Sequence, residues 1–173
     1  DALPIWAWVE QVRARVDLRR GRAPPEAFGR IARTIQGFHA LGEVYQRFEA
    51  RVELARLYQL AGRGDVAGVL LDALAANPAK DNPMLRLAYA EARAEQALLG
   101  DDRDDAIERF ESIVREARRL GAADVEAEAA LRLGTIALEA GQRDRAERML
   151  LIARRWSPDY ERTRALAAAL DPE

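Results

Sequence analysis

Apolar and small residues return every three or four positions through most of the chain, with polar residues between them. This is the period of helices that bury one face. In "LRLGTIALEAGQRDRAERMLLIARRW", which starts at residue 131, Leu133, Ala137, Leu150 and Ala153 lie along one such stripe. Leu-Gly and Ala-Gly pairs and prolines interrupt the period, and they divide the chain into helices at about 5–20, 24–41, 44–61, 64–77, 83–99, 103–120, 123–140 and 143–156. A ninth is predicted at about 159–170. Glycine just past a helix end supplies the left-handed residue that closes the last turn. Pro4, Pro24, Pro25, Pro83 and Pro158 fall at helix starts or between helices, where a missing amide hydrogen costs little. Short connections force consecutive helices to pack antiparallel. The expected architecture is all-α, with hairpins at 5–41, 44–77, 83–120 and 123–156 in a single domain over 1–173, and the ninth helix as a C-terminal cap.

The pattern also repeats. Moved by 79 residues, "EAFGRIARTIQGFHALGEVYQRFEARVELARLYQLAGRGDVAGVLL" falls without a gap on "DAIERFESIVREARRLGAADVEAEAALRLGTIALEAGQRDRAERML". Identities include Ala27/Ala106, Arg30/Arg109, Gly42/Gly121, Glu49/Glu128, Leu54/Leu133, Gly62/Gly141, Ala67/Ala146 and Leu71/Leu150. At an offset of 80, "WVEQVRARVDLRRG" matches "AYAEARAEQALLGD" through Arg13/Arg93, Ala14/Ala94 and Leu18/Leu98. A two-helix unit cannot bury its apolar face alone, so repeated units stack into one continuous core.

Gly134 stands inside a helical run, where glycine costs roughly 1 kcal/mol against alanine, so another helix is expected to approach the backbone there. Gly134 and Ala146 are 12 residues apart and Pro158 follows after 12 more. With Leu133, Ala137, Leu150 and Ala153 between them, residues 127–158 resemble a tetratricopeptide repeat, in which small residues on two helices meet at closest approach. Residues 48–79 resemble it through Leu54, Ala55, Tyr58, Ala67 and Leu71, and 87–120 through Ala94, Ala106, Phe110 and Ile113. The resemblance implies a right-handed superhelical solenoid of helix hairpins, a domain of a larger bacterial protein. The capping helix, "DYERTRALAAAL", is expected to cover the last hairpin with Arg162 and Arg164 facing water. Because residue 1 is aspartate, the chain reads as a piece of a longer one.

Composition supports helices: hydrophobic residues make up 49%, charged residues 32% and aromatic residues only 6%. The net charge is −2, divided as about +3 over residues 1–80 and −5 over 81–173. Lys80 is the one lysine among 27 basic residues. No cysteine is present, which removes disulfides and thiolate metal sites. No apolar run approaches the roughly 18 residues of a membrane span, so membrane insertion is not expected. The cytoplasm is the expected compartment, ahead of the periplasm.

Candidate chemistry is sparse. His39 has no second histidine or cysteine to complete a metal site. "GDDRDD" at 100–105 is rich in oxygen ligands but lacks the glycine and distal glutamate of a calcium loop, and Asp104 and Asp105 read as helix capping. Ser112 and Ser157 have no nucleophile-elbow context. "GRGDVAG" at 62–68 lacks the lysine of a phosphate loop, and Arg63 to Asp65 read as a turn with a helix start. No enzyme, cofactor or metal is expected. Arg13, Arg15, Arg19, Arg20, Arg22, Arg30 and Arg33 make a basic stripe on the first two helices, the basis of a weaker nucleic-acid reading. Trp6 and Trp8 are expected to cap the first hairpin, to pack on whatever precedes it, or to drive dimerisation.

The resemblance implies a protein-interaction scaffold that binds a partner peptide or helix in a concave groove. If the first helix of each hairpin lines the groove, its residues are Glu49, Val52, Arg56 and Gln59, then Glu91, Glu95 and Leu98, then Glu128, Leu131, Thr135 and Leu138. This surface is more acidic than basic and apolar in patches, which suits a partner with leucine or aromatic residues and some arginine or lysine. The alternative is a regulatory or oligomerisation module of a larger bacterial signalling protein, a transcription regulator or kinase, with homo-oligomers as a further expectation.

Overall fold

A computed structural model describes residues 3–156 and 158–171; Ser157 lies outside the described residues. All regular structure among them is helical: α1 (Leu3–Arg19), α2 (Pro25–Ala40), α3 (Val44–Leu60), α4 (Gly64–Leu74), α5 (Pro83–Leu99), α6 (Arg103–Leu120), α7 (Ala123–Glu139), α8 (Arg143–Trp156) and α9 (Glu161–Leu170). The helices fall where the periodicity puts them except at the end of the fourth. It stops at Leu74 rather than at 77, and a 3₁₀ turn, Pro78–Asp81, precedes α5. Polar side chains compete with the helix here. Asn77 accepts a hydrogen bond from the amide of Ala79, Pro78 has no amide to donate, and Asn82 then caps α5 through the amides of Met84 and Leu85.

Two compact units form, Asp1–Asp101 and Asp102–Glu173, and their boundary falls inside the expected third hairpin. In the first unit α3 is central and touches α1, α2, α4 and α5. Ala7, Ala14, Ile31, Phe38 and Leu57 make one core on its α1–α2 side. Phe48, Val52, Ala55, Leu71, Leu74 and Leu85 make another on its α4–α5 side. In the second unit α7 has the central place, packed by α6, α8 and α9. Its core gathers Leu131, Ala137, Ala146, Leu150, Leu166 and Leu170.

The repeat is visible in backbone detail. The turn after α2 closes with a hydrogen bond from Glu43 N–H to Phe38 O, and the turn after α6 with one from Ala122 N–H to Ala117 O, both 2.9 Å. After α3 the bond runs from Arg63 N–H to Tyr58 O, and after α7 from Gln142 N–H to Ala137 O, both 2.8 Å. These are the 6→1 bonds of Schellman ends, and they require a left-handed residue. Gly62 supplies it with φ +72° and Gly141 with φ +71°.

Gly134 lies under two helices. A Cβ there would stand 2.7 Å from Leu166 Cδ2 on α9 and 3.3 Å from Met149 Cβ on α8. The sequence points to α8; the closer neighbour is α9, whose Leu166 and Leu170 are buried. Arg162 of α9 differs from expectation too: it is half-buried and paired with Glu128, whereas Arg164 is exposed.

Candidate functional site

The residues expected to line a groove divide into core, ion-paired and partly exposed positions. Val52 is buried in the core on the α4–α5 side of α3, and Leu131 in the core of the second unit. Gln59 is also buried; its side-chain amide donates to the carbonyl of Ala92 at 2.8 Å and to Gln96 Oε1 at 3.1 Å, tying α3 to α5. Arg56 pairs with buried Glu91 across the same two helices at 3.3 Å. Glu49 pairs with Arg15 of α1 at 2.5 Å, and Glu128 pairs with Arg162. Glu95, Leu98, Thr135 and Leu138 are half-buried. The Thr135 hydroxyl donates back to Leu131 O within its own helix, at 3.0 Å. The face of α3 expected to meet a partner is in the main the surface on which α1 and α5 pack.

Beneath α1 lies a polar layer that periodicity does not reveal. Glu10, Gln11, Thr34 and Glu53 are all buried. Arg15 Nε donates to Glu53 Oε1 at 2.6 Å, and Gln11 Nε2 donates to Glu49 Oε2 at 3.2 Å. Arg30 joins Asp17 at 2.9 Å and lies 3.3 Å from Glu10. Glu53 Oε2, Gln11 Oε1 and Thr34 Oγ1 remain buried without a hydrogen-bond partner. Burial pushes the Glu53 carboxyl up to about 7; Arg15 pulls it down, and Glu49 adds to the rise. Desolvation outweighs the ion pair because only one of its oxygens is compensated. Glutamine or glutamate at a core register of a helix, as at Gln11 and Glu53, is the signal that marks such a layer.

The other candidates are accounted for locally. His39 is exposed and its Nδ1 lies 2.5 Å from Arg47 Nη1. In the acidic loop Asp102, rather than Asp104 or Asp105, caps the helix, accepting from the amide of Asp105, whose own carboxylate pairs with Arg109 at 2.6 Å. Asp65 opens α4, and the amide of Val66 holds its carboxyl below the ordinary range. Arg63 reaches it at 3.4 Å. Among the described residues no cluster of His, Asp and Glu is gathered for a metal, and no helix is long and apolar enough to cross a membrane. Of the basic stripe, Arg15 and Arg30 are drawn into ion pairs with Glu49, Glu53, Glu10 and Asp17. Arg33 lies over the ring of Trp6, 5.8 Å from its centroid. A shallow cleft of about 580 Å³ lies on α4 and α5, lined by Gly64, Gly68, Val69, Asp72, Gln96 and Leu99.

No family model, curated protein or solved structure matches the chain.

Proposed function

We propose that the chain is a protein-interaction scaffold of the tetratricopeptide kind, a right-handed array of helix hairpins that holds a segment of a partner polypeptide. The observation that carries the reading is the repeat of α2–α4 in α6–α8, with matched turns and with Gly134 seated under two neighbouring helices. Repeated helix pairs present side chains at regular intervals, which suits extended partners. The fold alone does not choose a ligand. The partly exposed positions do: in the first unit Glu95 and Leu98 of α5 are half-buried, and in the second unit, taken by itself, Thr135 and Leu138 of α7 are half-buried, so each offers a polar side chain beside an apolar one. Leucine or aromatic residues beside arginine or lysine complement them. A nucleic-acid role is disfavoured by the carboxylates that already occupy Arg15 and Arg30.

Panning a displayed library of short peptides against the intact chain tests the reading. Sequences that pair Leu, Phe or Trp with Arg or Lys are expected to be enriched. Glu95→Lys with Leu98→Lys, or Thr135→Lys, is expected to weaken their binding about tenfold, roughly 1.4 kcal/mol. No enrichment, or enrichment indifferent to both variants, would sink the groove.

A further inference from the structure

The outward face of α8 carries charge and apolar surface that the fold does not use. Ala146, Leu150 and Ala153 turn inward to the core of the second unit. Arg148, Leu151 and Arg155 follow one another at spacings of three and four residues, which puts them on one stripe of the helix. All three are exposed, Leu151 at 66%. Among the described residues neither Arg148 nor Arg155 is paired with a carboxylate: the neighbouring Glu147 pairs with Arg143 at 3.0 Å, and Glu111 of α6 with Arg145 at 2.6 Å.

At its C-terminal end the stripe meets a fixed indole. Buried Glu126 of α7 accepts from Arg118 Nε of α6 at 2.8 Å and from Trp156 Nε1 at 3.2 Å. With its N–H held in this way Trp156 is still 44% exposed, and the Arg155 guanidinium lies over its ring, 4.9 Å from the centroid. A guanidinium stacked on a ring keeps its in-plane N–H donors free for a carboxylate. The Arg118 side chain remains 62% exposed beside it. None of this is required by the hairpin. Helix dipoles favour arginine in a last turn, which covers Arg155 but neither Arg148 in the middle of α8 nor Leu151. At the same register the first unit, taken by itself, has Val69, Asp72, Ala76 and Asn77, and its turns close with the same bonds.

We propose that this face of α8 docks an acidic amphipathic helix of a partner protein, one with carboxylates two turns apart and leucine, isoleucine or phenylalanine between them. Arg148 and Arg155 are separated by about 10 Å along the helix, and carboxylates seven residues apart on a helix laid alongside match that interval. The apolar residue between them covers Leu151. Charge selects this occupant. Residues 102–173 hold 13 arginines against 16 aspartates and glutamates, so the unit as a whole repels a long polyanion such as nucleic acid, whereas a short acidic helix meets only the local arginines. A second copy would set its own α8 arginines against these. The exposed face of its α6, with Asp104, Glu108 and Ser112, is acidic but has no apolar residue to cover Leu151. The surface is separate from Thr135 and Leu138 of α7 and does not rest on the groove.

The probe is a displayed library of single helices randomised along one face and panned against the intact chain. Clones with Asp or Glu seven residues apart and Leu, Ile or Phe between them are expected to be enriched. A peptide made from such a clone is expected to bind about tenfold more weakly to Arg148→Glu and to Arg155→Glu, and to regain affinity for the double variant once its two carboxylates are exchanged for lysine. Circular dichroism and the denaturation midpoint are expected to stay unchanged, since both arginines are exposed; if the midpoint falls, Arg148→Gln with Arg155→Gln takes the place of the double variant. No acidic pattern among the clones, or binding indifferent to the arginine variants, would overturn the proposal. So would an oligodeoxythymidine that binds the intact chain as tightly and is lost with both arginines, which would assign the face to nucleic acid. Light scattering that finds a dimer dispersed by Leu151→Asp would overturn it too, and would assign the face to a second copy.

Discussion

At Gly134 two local effects oppose each other. Alanine would gain roughly 1 kcal/mol of helix propensity, but its methyl would stand 2.7 Å from Leu166 Cδ2 and 3.3 Å from Met149 Cβ. Leu166 is buried and cannot swing into solvent, so repacking outweighs propensity. Gly134→Ala is expected to destabilise by about 1 kcal/mol, and Gly134→Leu by roughly 1–3 kcal/mol or more. With Leu166→Ala the space opens, and Gly134→Ala becomes neutral or stabilising. Denaturant midpoints for the four proteins of this cycle give the coupling, expected at about 1 kcal/mol or above; strict additivity would mean that α9 does not press on Gly134. The sequence showed that something comes close at this position, because the cost of an interior glycine is local information. That the something is Leu166, 32 residues away, is tertiary information that spacing does not carry.

At the level of helices, legibility was high because period, glycine and proline signals agree at each boundary. The end of α4 escaped because Asn77 and Asn82 act through side-chain bonds to the backbone, which apolar spacing does not register. The direction of α1 escaped for a related reason: Ile5, Val9, Val12 and Val16 are exposed, while Ala7 and Ala14 are buried beside Glu10 and Gln11, so small and polar residues rather than the larger apolar ones face inward. Among the groove positions Arg56, Gln59, Glu91 and Glu128 are polar yet engaged with neighbouring helices, which the spacing does not register. Reversing Glu91 and Glu128 to lysine would set like charges against Arg56 and Arg162, and it is expected to lower the denaturation midpoint as well as any binding. The repeat makes a sharper statement about turns. Gly62 and Gly141 have nothing near the missing Cβ, so alanine at either meets only the left-handed backbone penalty, roughly 1–2 kcal/mol. Measured separately, Gly62→Ala and Gly141→Ala should destabilise by similar amounts; a large difference would show that equal turns are under unequal strain.

At the scale of the molecule, the two units share a repeat but not a charge economy. Thr34 and Glu53 of the first unit are buried polar groups, and the second unit places Ile113 and half-exposed Arg132 at the same register. The first unit is therefore expected to carry a pH dependence of its own. The Glu53 carboxyl titrates at about 7 in the fold against an ordinary 4.5, so the folded state keeps a proton that the unfolded chain releases. A raised carboxyl pKa gives stability that is full below the unfolded value and lost as pH rises through the folded one. Between about pH 5 and 8 the loss is on the order of 2–3 kcal/mol, with Arg15 opposing it and Glu49 reinforcing it. Hydrogen exchange, corrected for intrinsic rates, should show protection falling over this range in α1 and α3 while α7 and α8 hold. Glu53→Gln keeps the shape without the ionisation and should flatten the profile. If the variant retains the wild-type pH profile, or if both units lose protection equally, the buried carboxyl is not what sets the stability of the α1–α3 layer.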